Sequence, residues 1–214
     1  MIYHPCFGGG FFYPIKTLIN LLLAAALATV VVGADGLPVP QNRPTEIEET
    51  EEEITHEGPV RIACVGCTES EQKAAEFFFD QGVTDKNALA VVLGNIRQES
   101  GFNPAVCEGG SLKSYTPYSS CRRGGYGLIQ FTSSHRYYGL GSYARSIGKT
   151  PEDFETQLEY ITTEKEWKAA YTTFQTPDLS IAQYNRAAYT WLGWGVAGRR
   201  VNYAYQYATK LITT

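Results

Sequence analysis

The sequence predicts a mainly α-helical domain over residues 60–214, preceded by a hydrophobic segment at 1–34 and a Pro/Glu-rich acidic linker at 35–59. Three observations carry that prediction. Apolar residues recur at helical spacing from Ala74 onward. Helix-start patterns stand ahead of those runs, at Thr68, at Thr150 and at Ser180. The composition, 43% hydrophobic and 19% charged over 214 residues, is that of a chain able to bury a core.

The segments before the domain read differently from it. Residues 17–34 are apolar except for Asn20, and Lys16 precedes them. With small residues at Val32-Gly33-Ala34, this fits a secretion signal, and the run is long enough to cross a bilayer. Gly8-Gly9-Gly10 and the aromatics before Lys16 fit another role, an arm that docks on a neighbouring subunit of an assembly. Both readings stand. In the linker, Pro38, Pro40 and Pro44 favour extended backbone. The Glu cluster from Glu46 to Glu57 then repels itself into solvent. That cluster accounts for the net charge of -4, so the remaining chain is near neutral or slightly basic and can approach an anionic polymer. Basic residues form no stripe; Arg122-Arg123 and Arg199-Arg200 are only doublets, so nucleic acid is not an expected partner.

Five cysteines are present. Cys107 and Cys121 flank a Gly/Ser/Tyr-rich loop, which a disulfide would stabilise by ~3 kcal/mol. Cys64-Val65-Gly66-Cys67 is open to three readings: a tight bridge, a redox pair or half of a zinc site. A redox pair wants a βαβ setting, and zinc wants further Cys or His at short spacing; neither is visible. Structural bridges in an oxidising compartment are favoured, with Cys6 left over, and no metal or cofactor is expected.

In chain order, Thr68-Glu69-Ser70-Glu71 is a capping box ahead of Ala74, Ala75, Phe77 and Phe78, with Gly82 as the stop. Thr84 is the expected cap of a second helix with Ala88, Val92 and Ile96 on one face. Glu99 continues that face, and Gly101 and Pro104 end the helix. Residues 103–134 read as a Gly-rich loop, in which Gly127-Leu128-Ile129-Gln130 is a brief strand or a single helical turn. Ser142 is the expected cap of a short helix to Ile147. Thr150-Pro151-Glu152-Asp153 opens one that carries Phe154, Leu158, Ile161 and then Trp167. Ser180-Ile181-Ala182-Gln183 opens another. The last spans about Val196 to Leu211, with Val201, Ala204, Ala208 and Leu211 as its apolar stripe. Tyr is abundant, at 15, and its ring with a polar tip suits cores and sugar-lined grooves alike. Trp191 and Trp194, beside glycines, are placed to stack on sugars, whereas Trp167 reads as core and His135 as surface.

Glu99 is the residue with chemistry. A carboxylic acid at a helix end, half in apolar packing, can stay protonated near neutral pH and protonate the leaving oxygen of a glycosidic bond. Around it, Ala75-Glu76-Phe77-Phe78, Gly82-Val83-Thr84-Asp85, Ala90-Val91-Val92-Leu93-Gly94-Asn95 and Gln98-Glu99-Ser100-Gly101-Phe102-Asn103-Pro104 follow in order. With Tyr126-Gly127-Leu128-Ile129-Gln130, Phe154 to Ile161 and Gly198-Arg199-Arg200-Val201-Asn202-Tyr203-Ala204, they resemble the phage tail lysozyme family. That family lies within the goose-type lysozyme and lytic transglycosylase superfamily. The likeness runs from about Ala74 to the C-terminus. It implies a lysozyme-like helical domain with a Gly-rich cleft loop and with Glu99 as the catalytic acid. It also implies substrate contacts from Ser100, Tyr126, Gly127 and Gln130, and from Tyr184-Asn185, which resembles the Tyr-Asn of transglycosylase cleft motifs. Two departures stand out: a long Cys107-to-Cys121 loop, and no Tyr-Glu-x-Pro-like segment, for which Tyr189 to Trp194 is the nearest substitute.

The implied reaction is cleavage of peptidoglycan at the muramyl–glucosaminyl bond. No second acid lies close in sequence; Glu108 and Asp153 are candidates by presence alone. Hydrolysis, and transglycosylation through an anhydro ring, therefore both remain open. Implied partners are peptidoglycan and, through residues 1–59, other virion or tail proteins, with inner-membrane contact during infection. The implied location is the virion, with action in the host periplasm, or else a secreted or membrane-anchored periplasmic form. The competing functions are a non-catalytic structural virion protein with this fold and a host-lysis endolysin. Arg199 and Arg200 are read as contacts to peptide carboxylates or as partners of nearby acids.

Overall fold

A computed structural model describes residues 60–122 and 124–214; the readings made for 1–59, including Cys6, lie outside the described residues. Seven α-helices and one two-stranded sheet make up the described chain: β1 (Ile62–Cys64), α1 (Glu69–Asp80), α2 (Lys86–Ser100), α3 (Ser134–Ser146), α4 (Phe154–Thr163), α5 (Lys165–Phe174), α6 (Ile181–Leu192), α7 (Arg200–Lys210) and β2 (Leu211–Thr213). The mainly α prediction holds.

Everything is organised around α2. Its run from Ala88 to Ile96 is buried on every side, where the sequence predicted one apolar face. Continuous apolar character marks a helix enclosed by others, and α1, α6 and α7 enclose this one. At Gly94 the approach of α7 is close: a Cβ there would stand 2.7 Å from the Ala204 nitrogen and 2.9 Å from the Arg200 carbonyl oxygen. The cap of α2 is Asp85 rather than Thr84, because the Asp85 carboxylate accepts from the N–H groups of Asn87 (2.8 Å) and Ala88 (3.0 Å). The far end is as predicted, with Gly101 in the left-handed region at φ 60°.

The capping boxes at Thr68–Glu71 and Ser180–Gln183 form as the sequence indicates. An aromatic cluster joins α1 to the later helices. Phe78 lies 5.0 Å from Trp167, which meets Trp191 edge to face at 4.9 Å and Phe174 at 5.4 Å.

Four other boundaries differ from the sequence reading. Helix α3 begins at Ser134 on the Ser133 cap, well before Ser142; its Gly139 and Gly141 and its buried Arg136 hide the apolar period. Asp153, not Thr150, caps α4 through the Thr156 N–H at 2.8 Å. The helix expected to run on to Trp167 breaks at Glu164, whose backbone is extended (φ -67°, ψ 142°). There the Glu164 carboxylate takes a bidentate grip from Arg136, with Nε donating at 2.7 Å and Nη2 to the other oxygen. Finally, α7 starts at Arg200 instead of Val196. Val201 faces solvent, Tyr207 takes the core position, and Leu211 belongs to β2. Strand β2 pairs antiparallel with β1, Ile62 opposite Thr213 and Cys64 opposite Leu211, so the two ends of the domain are tied together.

Both predicted disulfides are formed, Cys64–Cys67 ahead of α1 and Cys107–Cys121 across the loop between α2 and α3. Among its described residues, that loop holds only a 3-10 turn at Tyr118–Ser120 and an isolated bridge between Cys107 and Tyr126. With so little regular structure, the cross-link carries much of its order. Replacing both Cys107 and Cys121 by Ser is expected to cost about 3 kcal/mol by loop-closure entropy, read as a lower midpoint in denaturant unfolding at unchanged helix content.

Candidate active site

The last turn of α2 and the first turn of α7 meet at a cleft of about 730 Å3. Two contacts fix that meeting beyond the Gly94 crossing. The Gln98 side-chain oxygen accepts from the Arg199 N–H at 2.7 Å. Gly198, at φ 58°, lies flat on the Gln98 amide, where a Cβ would come within 2.6 Å. These contacts bring Arg200 onto Glu99. Arg200 Nη2 donates to Glu99 Oε1, while Nη1 donates to the carbonyls of Val196 (2.9 Å) and Ala197 (2.8 Å). The guanidinium carbon is 4.5 Å from the centre of the Trp194 ring.

Glu99 therefore has opposing influences. Burial pushes its carboxyl up, and the charge and hydrogen bond of Arg200, with a smaller contribution from Arg136, pull it down; burial wins, and Glu99 sits above the usual carboxylate value. Its side chain keeps 15% exposure, opening on the cleft, against 5% for Arg200. This arrangement places a half-buried carboxyl, paired with an arginine, on the wall of an open cleft.

The sequence-predicted residues separate into those that line the cleft and those beneath it. Gln130 lines it, held at φ 52° with its Nε2 donating to the Gly127 carbonyl at 3.0 Å. Ser100 is fully buried, and its Oγ donates to the Leu128 carbonyl at 2.9 Å, fastening α2 to the 127–130 turn. Gly127, at φ 71°, is needed for a neighbouring side chain: a Cβ would lie 2.3 Å from the Gln157 amide oxygen. Gln157 accepts from Leu128 N–H and donates to the carbonyls of Pro104 and Pro151 at 2.6–2.8 Å. Tyr126 is buried and donates to the Thr116 carbonyl at 2.9 Å. Ser100, Tyr126 and Gly127 thus shape the cleft from behind. Tyr184 is also buried, donating to the Thr176 carbonyl; it and half-buried Asn185 are not cleft-lining residues.

Of the two second-acid candidates, Glu108 lines the cleft and accepts from Gly125 N–H at 2.9 Å. Asp153 is engaged elsewhere as the α4 cap; burial raises its carboxyl, but the two Thr156 hydrogen bonds and Lys149 bring it below its ordinary value. Glu166 also lines the cleft and was missed, because the break at Glu164 that starts a new helix has no local sequence signal. Trp191 is 1% exposed and belongs to the aromatic cluster although it borders the cleft, whereas Trp194 lines it and is half-buried. His135 is exposed, as read.

The phage tail lysozyme family model matches residues 69–211. No curated protein and no solved structure matches the chain.

Proposed function

The chain belongs to the phage tail lysozyme family, and from that premise we propose that it cuts peptidoglycan strands at the muramyl–glucosaminyl bond, with Glu99 as the general acid. The observation that carries this reading is the placement of Glu99: a half-buried carboxyl on the wall of an open cleft, raised by burial above its usual value. Raising the pKa of an acid favours its protonated form, the form that can donate to a glycosidic oxygen. Gln130 and Trp194 are the proposed contacts to the strand, the amide for hydroxyl and acetamido groups and the indole for a ring face. Ser100, Tyr126 and Gly127 support the turn that presents Gln130. Tyr184 anchors α6 through the Thr176 carbonyl, and the last turn of that helix brings Trp191 and Leu192 to the border of the cleft.

Once Glu99 has given up its proton, Arg200 stabilises the carboxylate that remains. From there two outcomes fit. Water activated by Glu108 or Glu166, the two other carboxyls on the cleft, would give a reducing end. Attack by the muramyl 6-hydroxyl, with Glu99 taking its proton, would give an anhydro end and need no second acid. Mass spectrometry of muropeptides released by the full chain tests the proposal and separates the two; absence of any cleaved product refutes it. Attachment to the virion through residues 1–59, with action in the host periplasm, is the biological setting we propose, tested by fractionating virions and probing for the chain.

Arg200 gives a pH prediction. The protonated acid is the active form, so activity falls as pH rises through the Glu99 pKa. Arg200 pulls that pKa down. Replacing Arg200 by Met removes the pull and is expected to move the basic limb of the pH–rate profile to higher pH. It is also expected to lower the plateau rate by about tenfold or more, as the product carboxylate loses its partner. A limb that stays in place or moves down would count against this coupling, provided the circular dichroism spectrum shows the variant folded.

A further inference from the structure

The cleft at Glu99 does not end at its rim. Thr132 lines it and also lines a second depression, of about 230 Å3, together with Arg122, Ser134, Tyr137 and Tyr138. A third, of about 400 Å3, shares Arg122, Tyr137 and Tyr138 with the second and adds Tyr118. The three adjoin one another through these shared residues, along the start of α3.

The two outer depressions are firmly built. Tyr118 and Tyr137 stack at 4.3 Å, 12° from parallel, and their hydroxyls donate to each other's backbone: Tyr118 to the Tyr137 carbonyl at 2.6 Å and Tyr137 to the Tyr118 carbonyl. Tyr137 also donates to the Cys121 carbonyl at 3.2 Å, and Cys121 is bridged to Cys107, so the residue before Arg122 is anchored twice. On this base Tyr138 stands edge-on to Tyr137 at 5.5 Å with 68% of its surface in solvent. Arg122 is the one charged side chain among the described residues lining the two outer depressions, and it is exposed. The N-terminus of α3 adds partial positive charge beside it. Two acids of the same region are turned to backbone, Glu108 accepting from Gly125 N–H and Glu152 from Tyr118 N–H. The two outer depressions are therefore lined by aromatic rings and a single charged side chain, a cation, and they adjoin the cleft at Thr132.

A peptidoglycan strand offers the complement: sugar rings with apolar faces, and peptide stems that carry carboxylates. We propose that these outer depressions form a remote subsite for a peptide-bearing sugar of the strand being cut, with Tyr138 under a ring and Arg122 on a stem carboxylate. It rests on the reading of the Glu99 cleft as a glycan site. Its effect is selection for stretches of strand that still carry their peptides, since Arg122 gains a partner only there.

The test uses the full chain with Glu99→Gln as background, so that binding is read without cleavage. Co-sedimentation is measured with intact sacculi, and affinity with glycan strands stripped of peptide by an amidase. Arg122→Ala is expected to weaken sacculus binding about fivefold, as the loss of one exposed ion pair does, and to leave the stripped strands unaffected. Tyr138→Ala is expected to weaken both by a similar factor. Both side chains are exposed, so the variants should fold as the parent does. Equal binding by parent and variants to both substrates would overturn the subsite; an Arg122 effect of equal size on stripped strands would overturn its assignment to stem carboxylates. Cleavage by the wild-type chain, measured in parallel, reports on Glu99 separately. Arg122-dependent binding without cleavage would remove the enzyme reading and leave the subsite standing.

Discussion

Glu99→Gln is expected to remove glycan cleavage while leaving binding to the cell wall in place. Loss of a positioned general acid costs about 10^2- to 10^4-fold, and in this cleft the upper part of that range is expected. The other carboxyls that line it, Glu108 and Glu166, lie on different segments, the 103–133 loop and α5, and neither shares the α2–α7 junction that encloses Glu99. A Gln in its place still offers an amide oxygen to Arg200, so the side chain keeps its position. What it lacks is a transferable proton. The measurement is release of soluble muropeptides from sacculi by equal amounts of parent and variant, with binding measured alongside. The Glu99–Arg200 ion pair is also what a purely structural glutamate would make, which is the form the competing reading of a non-catalytic virion protein takes. That reading expects no release by either protein; a wild-type chain that releases muropeptides and a variant that does not exclude it.

How far the sequence reached depends on the range of the interaction involved. The boxes at Thr68–Glu71 and Ser180–Gln183 and the stop at Gly101 were legible because each is complete within a few residues. The break at Glu164 was not, since the Arg136 that grips it lies 28 residues away. The β1–β2 pair was invisible for the same reason: two three-residue strands at opposite ends of the domain have no pattern of their own. Helix α3 was half seen because its glycines answer to tertiary needs. At Gly141 a Cβ would stand 2.6 Å from the Tyr118 hydroxyl, so the residue that spoils the helical pattern is the one that lets the tyrosine pair dock.

The site shows the same division. Family likeness pointed to Glu99 and Gln130, and both line the cleft. It also pointed to Ser100, Tyr126 and Gly127, which support the turn that carries Gln130 in other ways: Ser100 bonds α2 to the Leu128 carbonyl, Tyr126 bonds the Thr116 carbonyl, and Gly127 leaves room for Gln157. A motif marks residues a site depends on without separating those that face the ligand from those that hold the ones that do. Arg200 could be named as a partner for a nearby acid, but identifying Glu99 as that acid needed the crossing of α2 and α7.

That crossing gives the second large effect. Gly94→Ala is expected to destabilise the protein by about 2 kcal/mol and to lower cleavage further than the loss of folded protein explains. Two opposing terms decide the sign. In the interior of a helix, Ala is favoured over Gly by about 1 kcal/mol. Against it, the new Cβ would meet the Ala204 nitrogen at 2.7 Å, the Arg200 oxygen at 2.9 Å and the Ala204 Cα at 3.1 Å. All three are backbone atoms of α7, so no rotamer change relieves the contact and the helix itself must move away. Overpacking of this kind costs about 1–3 kcal/mol, and three rigid contacts place it at the upper end. Arg200 begins α7 and carries one of those atoms, so the same displacement draws its guanidinium off Glu99. Denaturant unfolding gives the stability term; activity per folded molecule, at a temperature where both proteins are fully folded, gives the other. Gly94→Val should exceed Gly94→Ala on both scales, because its two methyl groups point into the same backbone. A Gly94→Ala variant as stable and active as the parent would mean that α7 can retreat from α2 without disturbing the Glu99–Arg200 pair.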